Sequence, residues 1–193
     1  MSELFWVLLG FLLALIWDKY KDWQRFRFTI KLVANEVKEA RTSLESKFKE
    51  LPDDFKKIVK VAQEGGDISA HSSMLSKLPS FEYTMPYQTS AWQTFVANGY
   101  PNRINEADYK IVSDAYNTLE GSNFIKGLVP VLLALTSSPA IDDDTKRYVV
   151  QGLRLAPIYP VAFALPKMKT ALDRIEKIAN SCSLSSFINF IFK

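Results

Sequence analysis

The sequence predicts an all-α protein in which an N-terminal transmembrane helix continues into a long amphipathic helix packed in a small helical bundle. Glycine is scarce, with seven in 193 residues, which disfavours a β-rich architecture with many tight turns. Apolar residues recur at helical spacing beyond the N-terminal segment. Hydrophobic residues make up 48% of the chain and charged residues 23%, a balance that excludes disorder for the bulk of it.

The chain divides into an anchor and one soluble domain. A length of 193 residues suits a single core of ordinary size together with an anchor. We predict a transmembrane anchor over residues 1–20, a juxtamembrane amphipathic helix over 21–51, and a cytoplasmic helical domain over 52–193 that shares one core with 21–51. The net charge of +3 is too mild to indicate nucleic acid or a nucleotide as a partner.

The anchor is predicted from an uninterrupted apolar run. From Leu4 to Trp17, fourteen successive positions carry no charge. As a helix they are about 21 Å long, short of the roughly 30 Å hydrocarbon core, so a buried core helix, an interfacial helix and a cleaved signal sequence are alternatives. No basic segment precedes the run and no small-residue cleavage site follows it, while Trp6 and Trp17 are spaced to lie near the two interfaces. These features favour a retained span.

Charges on the two sides of the run predict its orientation. Only Glu3 precedes it, whereas five basic residues follow closely: Lys19, Lys21, Arg25, Arg27 and Lys31. Because basic residues stay on the cytoplasmic side, we expect a single pass through the inner (cytoplasmic) membrane, N-terminus out, with the C-terminal domain in the cytoplasm. The lone cysteine, Cys182, fits that compartment. Gly10 and Ala14 form a small-x-x-x-small pair, a pattern typical of contacts between spans.

An apolar stripe predicts that the membrane helix continues well past the anchor. Its members recur in steps of three and four residues: Trp23, Phe26, Ile30, Val33, Val37, Ala40 and Leu44. Pro52 cannot continue the helix, so we expect it to end near Leu51. A parallel coiled coil is one way to cover the stripe, but Lys47 falls in its seam. Packing against the rest of the same chain is therefore favoured.

Shorter helices are predicted next. Pro52 opens a helix with a buried face, closed by Gly65-Gly66. Residues 64–80 are polar and predict a loop. Ser90 and Gln93 form a capping box at the start of a further helix.

The remaining residues, from 105 to 193, also predict helices. Asn105 caps the first. The apolar segment from Ile125 to Leu135 contains Lys126 and is interpreted as a core helix and not a second span. Asp142–Asp144 starts the next helix, and residues 161–180 form the last long one. The apolar tail from Phe187 to Lys193 is expected either on the bilayer surface or in the core.

Part of this pattern resembles uncharacterised prokaryotic proteins with one N-terminal span and a cytoplasmic helical domain. The resemblance rests on the segment from Tyr87 to Asn123 and on the region of Glu36. Its members in the segment are Trp92, Gly99, Tyr109, Tyr116, Leu119 and Asn123. It implies an architecture and no function.

Residues with catalytic or metal-binding potential have simpler explanations. His71, the only histidine, lies among serines and Asp67 in a segment with the composition of a solvated loop. Carboxylates at Asp142–Asp144 are explained by capping and the helix dipole rather than by a metal. No glycine-rich phosphate loop is present. We therefore expect no enzyme, no cofactor and no metal.

A ligand groove is the remaining possibility for a site in the soluble domain. Tyr87, Trp92, Tyr100 and Arg103 would line it. Core packing of the same aromatic residues is the alternative.

Two functional hypotheses follow from the sequence. In the first, the protein is a membrane-anchored, non-enzymatic interaction or regulatory protein whose cytoplasmic helical domain assembles with itself or with a protein partner. In the second, it is an oligomeric, pore-type effector of a prokaryotic antiviral defence system. The short anchor with Gly10 and Ala14 motivates the second hypothesis, because short spans can be accommodated by oligomerising. In both, the lipid bilayer is a partner.

Overall fold

The computed structural model describes residues 2–66, 86–155 and 158–181. Of these residues 88% are helical, in six α-helices with no strand, so the all-α prediction is confirmed. Most of the predicted loop at 64–80, with His71, and the C-terminal tail with Cys182 lie outside the described residues.

Six α-helices follow one another along the described residues. Their bounds are α1 Ser2–Glu50, α2 Asp53–Gln63, α3 Ser90–Ala97, α4 Glu106–Thr136, α5 Asp143–Leu155 and α6 Leu165–Ser181. A 3₁₀ turn, Tyr100–Arg103, joins α3 to α4, and a π-helical turn, Pro160–Ala164, leads into α6.

Helix α1 runs without a break from the predicted anchor into the bundle, as its sequence pattern predicts. The apolar stripe is buried along its whole length, from Trp23 to Leu44. The stripe is covered by the same chain, because α1 packs mainly against α6 and α3. Burial of this stripe, and not helix propensity alone, stabilises the long helix.

One hydrophobic core holds the bundle together. It includes the stripe from Phe26 onward, the buried face of α2, the aromatic residues of α3, the first half of α4, and both the π-helical turn and α6. Helix α5 packs against α4. The predicted buried face of α2 is the observed one: Phe55, Ile58, Val59 and Ala62.

The predicted capping box at Ser90 and Gln93 is wrong. Helix α3 begins with Ser90 already inside it, Thr89 is its N-cap residue, and no side chain of the segment caps it. The Glu36 carboxylate on α1 accepts the first amides of α3 instead. A tertiary acceptor has replaced a local one, which a local motif cannot reveal. Asn105 does cap α4, since its side chain accepts from the Ala107 amide at 2.8 Å.

The segment from Ile125 to Leu135 is the second half of α4 and not a separate helix. Pro130 lies inside α4 without ending it. Val129 is buried, but Phe124, Val131 and Leu133 are exposed. The core-helix interpretation of this segment is therefore wrong, because apart from Val129 it is largely uncovered by the described residues. The first half of α4 is the part that packs in the core.

Candidate membrane-contacting site

The N-terminal third of α1 is an apolar rod that projects beyond the bundle. Eleven of its large hydrophobic side chains between Leu4 and Trp17 are 46% to 68% exposed. Water-soluble monomers seldom expose a contiguous apolar surface of this size. The rod therefore needs an apolar environment that the described part of the chain does not supply.

A second helix is also apolar. By length and composition, α4 is the helix in the described part of the chain that is long and apolar enough to cross a membrane. Its first half, however, carries buried residues such as Val112 and Tyr116 that pack in the core. In α1 the apolar run is shorter, because Glu3 and the Asp18-Lys19 pair bound it closely.

Aromatic and basic side chains form a layer at the end of the rod. The rings of Trp17 and Tyr20 stack with centroids 5.7 Å apart. The Lys21 ammonium lies 5.5 Å from the centroid of the Trp17 ring, and the Arg27 guanidinium 5.5 Å from that of Trp23. Aromatic rings paired with cations are typical of the boundary between hydrocarbon and water.

An ion pair fixes the bundle to α1 at this same height. Arg103, at the end of the 3₁₀ turn, donates to the Asp22 carboxylate at 2.6 Å, and both side chains are partly exposed. Asp22 lies five residues beyond Trp17, about 8 Å along a helix. Among the described residues, the turn Tyr100–Arg103 is therefore a part of the bundle that lies close to the rod.

The small residues of the rod face away from the bundle. Gly10 and Phe28 are eighteen residues apart, as are Ala14 and Leu32, and eighteen residues make about five helical turns. All four therefore lie on one side of α1, opposite the buried stripe. On that side Phe28 is 64% and Leu32 40% exposed, and a Cβ added to Gly10 would meet nothing within 4 Å.

The predicted ligand groove is part of the core. Tyr87, Trp92 and Tyr100 are all buried. The Trp92 ring stacks on Tyr116 with centroids 4.9 Å apart and planes inclined by 7°. The ring faces are thus occupied by protein, and Arg103 is paired with Asp22. The three aromatic residues therefore pack in the core, which was the alternative to a ligand groove.

Glu36 is the charged centre of that aromatic core. Its carboxylate accepts from the amides of Ala91 and Trp92, each at 3.2 Å, and from the Tyr116 hydroxyl at 2.8 Å. Burial, followed by the charge of Glu36, raises the pKa of Tyr116 well above its usual range. The hydroxyl therefore stays protonated and acts as a permanent donor.

Two lysines converge on Tyr87 at the other end of α1. The Lys126 ammonium lies 3.6 Å from the Tyr87 ring centroid, and the Lys47 ammonium is 3.2 Å from its hydroxyl. Burial and the charge of Lys47 lower the pKa of Lys126 to about 8. Asn123 holds the Tyr87 backbone by two hydrogen bonds of 2.8 Å.

The remaining polar residues of interest have structural roles. Asp142 accepts from the Thr145 amide at 2.8 Å and so caps α5. That bond, followed by the Thr145 hydroxyl, lowers the pKa of Asp142. Among the described residues, no group of three or more His, Cys, Asp or Glu side chains is placed to hold a metal ion.

Sequence reasoning found the rod and the stripe but missed two features of the site. Nothing local marks Glu36 as a tertiary cap or Asp22 as the partner of Arg103, because both contacts join distant segments. The alignment of Gly10 with Phe28 on one side of α1 follows from helical geometry, because α1 is continuous.

The chain matches no known family model, no curated protein and no solved structure.

Proposed function

We propose that this chain is a membrane-anchored, non-enzymatic interaction protein, held in the inner membrane by the rod of α1 with its helical domain in the cytoplasm. The observation that carries the proposal is the unbroken α1, of which one part is an exposed apolar rod and the next is the central helix of a bundle. A continuous helix transmits position and orientation directly from the bilayer to the domain.

The partner that the exposed surfaces favour is a second copy of the chain. Gly10 and Ala14 permit close approach of two spans, and Phe28 and Leu32 extend the same side of α1 outside the hydrocarbon. Because the bundle occupies the opposite side of α1, two copies can meet along this line with their bundles outward. Assembly through it would make the domain an oligomeric platform.

The mass of the full chain in detergent tests self-assembly. We expect light scattering to give a dimer or larger assembly for the wild type and a smaller species for the double variant Gly10→Leu, Phe28→Glu. The matched control is Leu13→Ala with Lys38→Glu, which changes the rod and the exposed surface of α1 elsewhere. A wild-type monomer at all concentrations would refute self-assembly while leaving the anchor untouched.

Orientation is tested separately by protease added to intact cells and to inverted membrane vesicles. The proposal requires that the domain be cleaved only in the inverted vesicles. Cleavage in intact cells would place the domain on the other side and contradict the cytoplasmic assignment.

A further inference from the structure

We propose that the end of the bundle around Lys19, Lys21, Arg25 and Arg27, together with the turn Tyr100–Arg103, docks on anionic phospholipid headgroups. We call these four basic residues the collar. This inference rests on the proposed anchoring of α1, and it adds the chemical class of lipid that the domain contacts.

Heights along α1 place the collar at the membrane surface. Since α1 is unbroken, each residue beyond Trp17 adds about 1.5 Å. Lys19 and Lys21 are then about 3 and 6 Å beyond Trp17, inside a headgroup layer that is about 5 to 8 Å thick. Arg25 and Arg27 follow at about 12 and 15 Å, within roughly one Debye length of the surface.

Lys31 marks the far limit of the surface. It lies about 21 Å beyond Trp17, more than a Debye length outside the headgroups. Lys31 is thus close to the collar in sequence but too far from the headgroups to take part in the proposed contact.

The local balance of charge favours an anionic partner. Lys19, Lys21 and Arg25 are exposed. Two carboxylates lie in the same stretch, Asp18 and Asp22, and Asp22 is already neutralised by Arg103 at 2.6 Å. Four cations therefore lie in this stretch of α1, with Asp18 as their remaining local counter-charge on the helix. Each basic side chain near an anionic surface contributes about a fivefold preference for it.

The side chain of Arg27 provides a second observation in favour of an anionic partner. Its Nε is buried and makes no hydrogen bond among the described residues, while its guanidinium lies against the Trp23 ring. Guanidinium groups bind phosphate through paired N–H donors. A lipid phosphate reaching this edge of Trp23 would supply the acceptor.

Native mass spectrometry of the full chain, with equal amounts of phosphatidylglycerol and phosphatidylcholine of matched acyl chains, tests the proposal. We expect the wild type to retain phosphatidylglycerol preferentially. The collar variant, with Lys19, Lys21, Arg25 and Arg27 changed to Gln, should lower that preference by at least about tenfold. The charge-matched control changes Lys31, Lys38, Lys49 and Lys60 to Gln and should retain it.

Equal retention of the two lipids by the wild type would overturn the proposal. An equal loss in the control variant would do the same, because it would show a response to net charge alone. Extraction at alkaline pH separates this failure from failure of the anchor. If α1 is embedded, both the wild type and the collar variant remain in the membrane pellet. If α1 is not embedded, the wild type is itself released.

Unaltered protein provides a second measurement in case the collar variant does not fold. In bilayers with equal amounts of the two lipids, bromine on the phosphatidylglycerol chains should quench tryptophan fluorescence more than bromine on phosphatidylcholine, since Trp17 lies just before the collar and Trp23 lies within it. The difference should disappear at 0.5 M salt, where the Debye length is about half of its physiological value. A difference that is absent at low salt, or that is unchanged by salt, contradicts headgroup docking.

Discussion

At the scale of single residues, Glu36 joins the long helix to the bundle. A carboxylate with 7% exposure is stable only when its oxygens are hydrogen-bonded, and here three donors from α3 and α4 satisfy them. The contact caps α3 and orients Tyr116 at the same time. These contacts give Glu36 a structural role.

Replacing Glu36 tests this role. Glu36→Ala leaves two amides and one hydroxyl without their acceptor, and we expect a loss of about 2 to 4 kcal/mol in the free energy of unfolding. Glu39→Ala, at an exposed position of α1, should change it by less than about 0.5 kcal/mol. Chemical denaturation of both variants in detergent measures the difference, and equal stabilities would contradict the role given to Glu36.

Lys126 predicts how stability depends on pH. Burial, then the charge of Lys47, lowers the pKa of Lys126 from 10.5 to about 8 in the folded chain. Below pH 8 the amine is charged in both states, and folding carries the full cost of burying the charge. Between about pH 8 and 10 the folded amine loses its proton while the unfolded amine keeps it, so stability rises with pH.

We therefore expect the wild type to be more stable at pH 9.5 than at pH 7, measured by denaturant unfolding. Lys126→Met should reduce that rise, leaving the part due to Lys47, whose pKa burial also lowers. Lys110→Met, at an exposed position of α4, should keep the whole rise. The comparison stops below pH 10 because burial raises the pKa of Tyr87 to about 12. Above the ordinary pKa of tyrosine the unfolded hydroxyl loses its proton first, so this group lowers stability as pH rises. A rise of unchanged size in Lys126→Met would exclude this amine as its source.

At the scale of elements, α1 combines two environments in one helix. Its stripe residues and its rod residues are both apolar, but only the stripe is covered by the chain. Neighbouring positions can therefore differ sharply in their energetic role, as Ile30, 1% exposed, and Leu32 do.

Truncating these two side chains gives a matched pair. Ile30→Ala creates a cavity and should cost about 2 to 5 kcal/mol of unfolding free energy. Leu32→Ala, measured at a concentration where the chain is monomeric, removes an exposed side chain and should cost less than about 0.5 kcal/mol. Similar losses for the two, measured in denaturant, would mean that the stripe does not carry the packing of α1.

The sequence predicted the features that have a local pattern, such as helical periodicity and a capping residue. It missed the features that depend on contacts between distant segments. Alternating steps of three and four identified the buried face from Trp23 to Leu44, and Asn105 identified the start of α4. The capping box failed because Glu36, 54 positions before Ser90, supplies the acceptor for α3. The aromatic groove failed because a Trp or Tyr has the same sequence signal in a core as in a ligand site.

At the scale of the whole molecule, the direction of α4 relative to α1 decides which apolar surface can enter the bilayer with the rod. Contacts advance together along the two helices: Asp22 with Arg103, then Glu36 with Tyr116. Further on, Lys47 and Lys126 meet at Tyr87. The exposed half of α4 therefore lies near the height of Lys47, about 45 Å beyond Trp17. It cannot share one membrane layer with the rod.

Alkaline extraction of the full chain tests the central claim, anchoring by α1, most directly. Leu9→Lys with Leu12→Lys puts two charges in the rod at about 3 kcal/mol each, and it should move the protein from the membrane pellet to the soluble fraction. Phe124→Lys with Val131→Lys puts the same charges on the exposed face of α4 and should leave the protein in the pellet. Release by the α4 pair and retention of the α1 pair would contradict the account and identify α4 as the membrane helix.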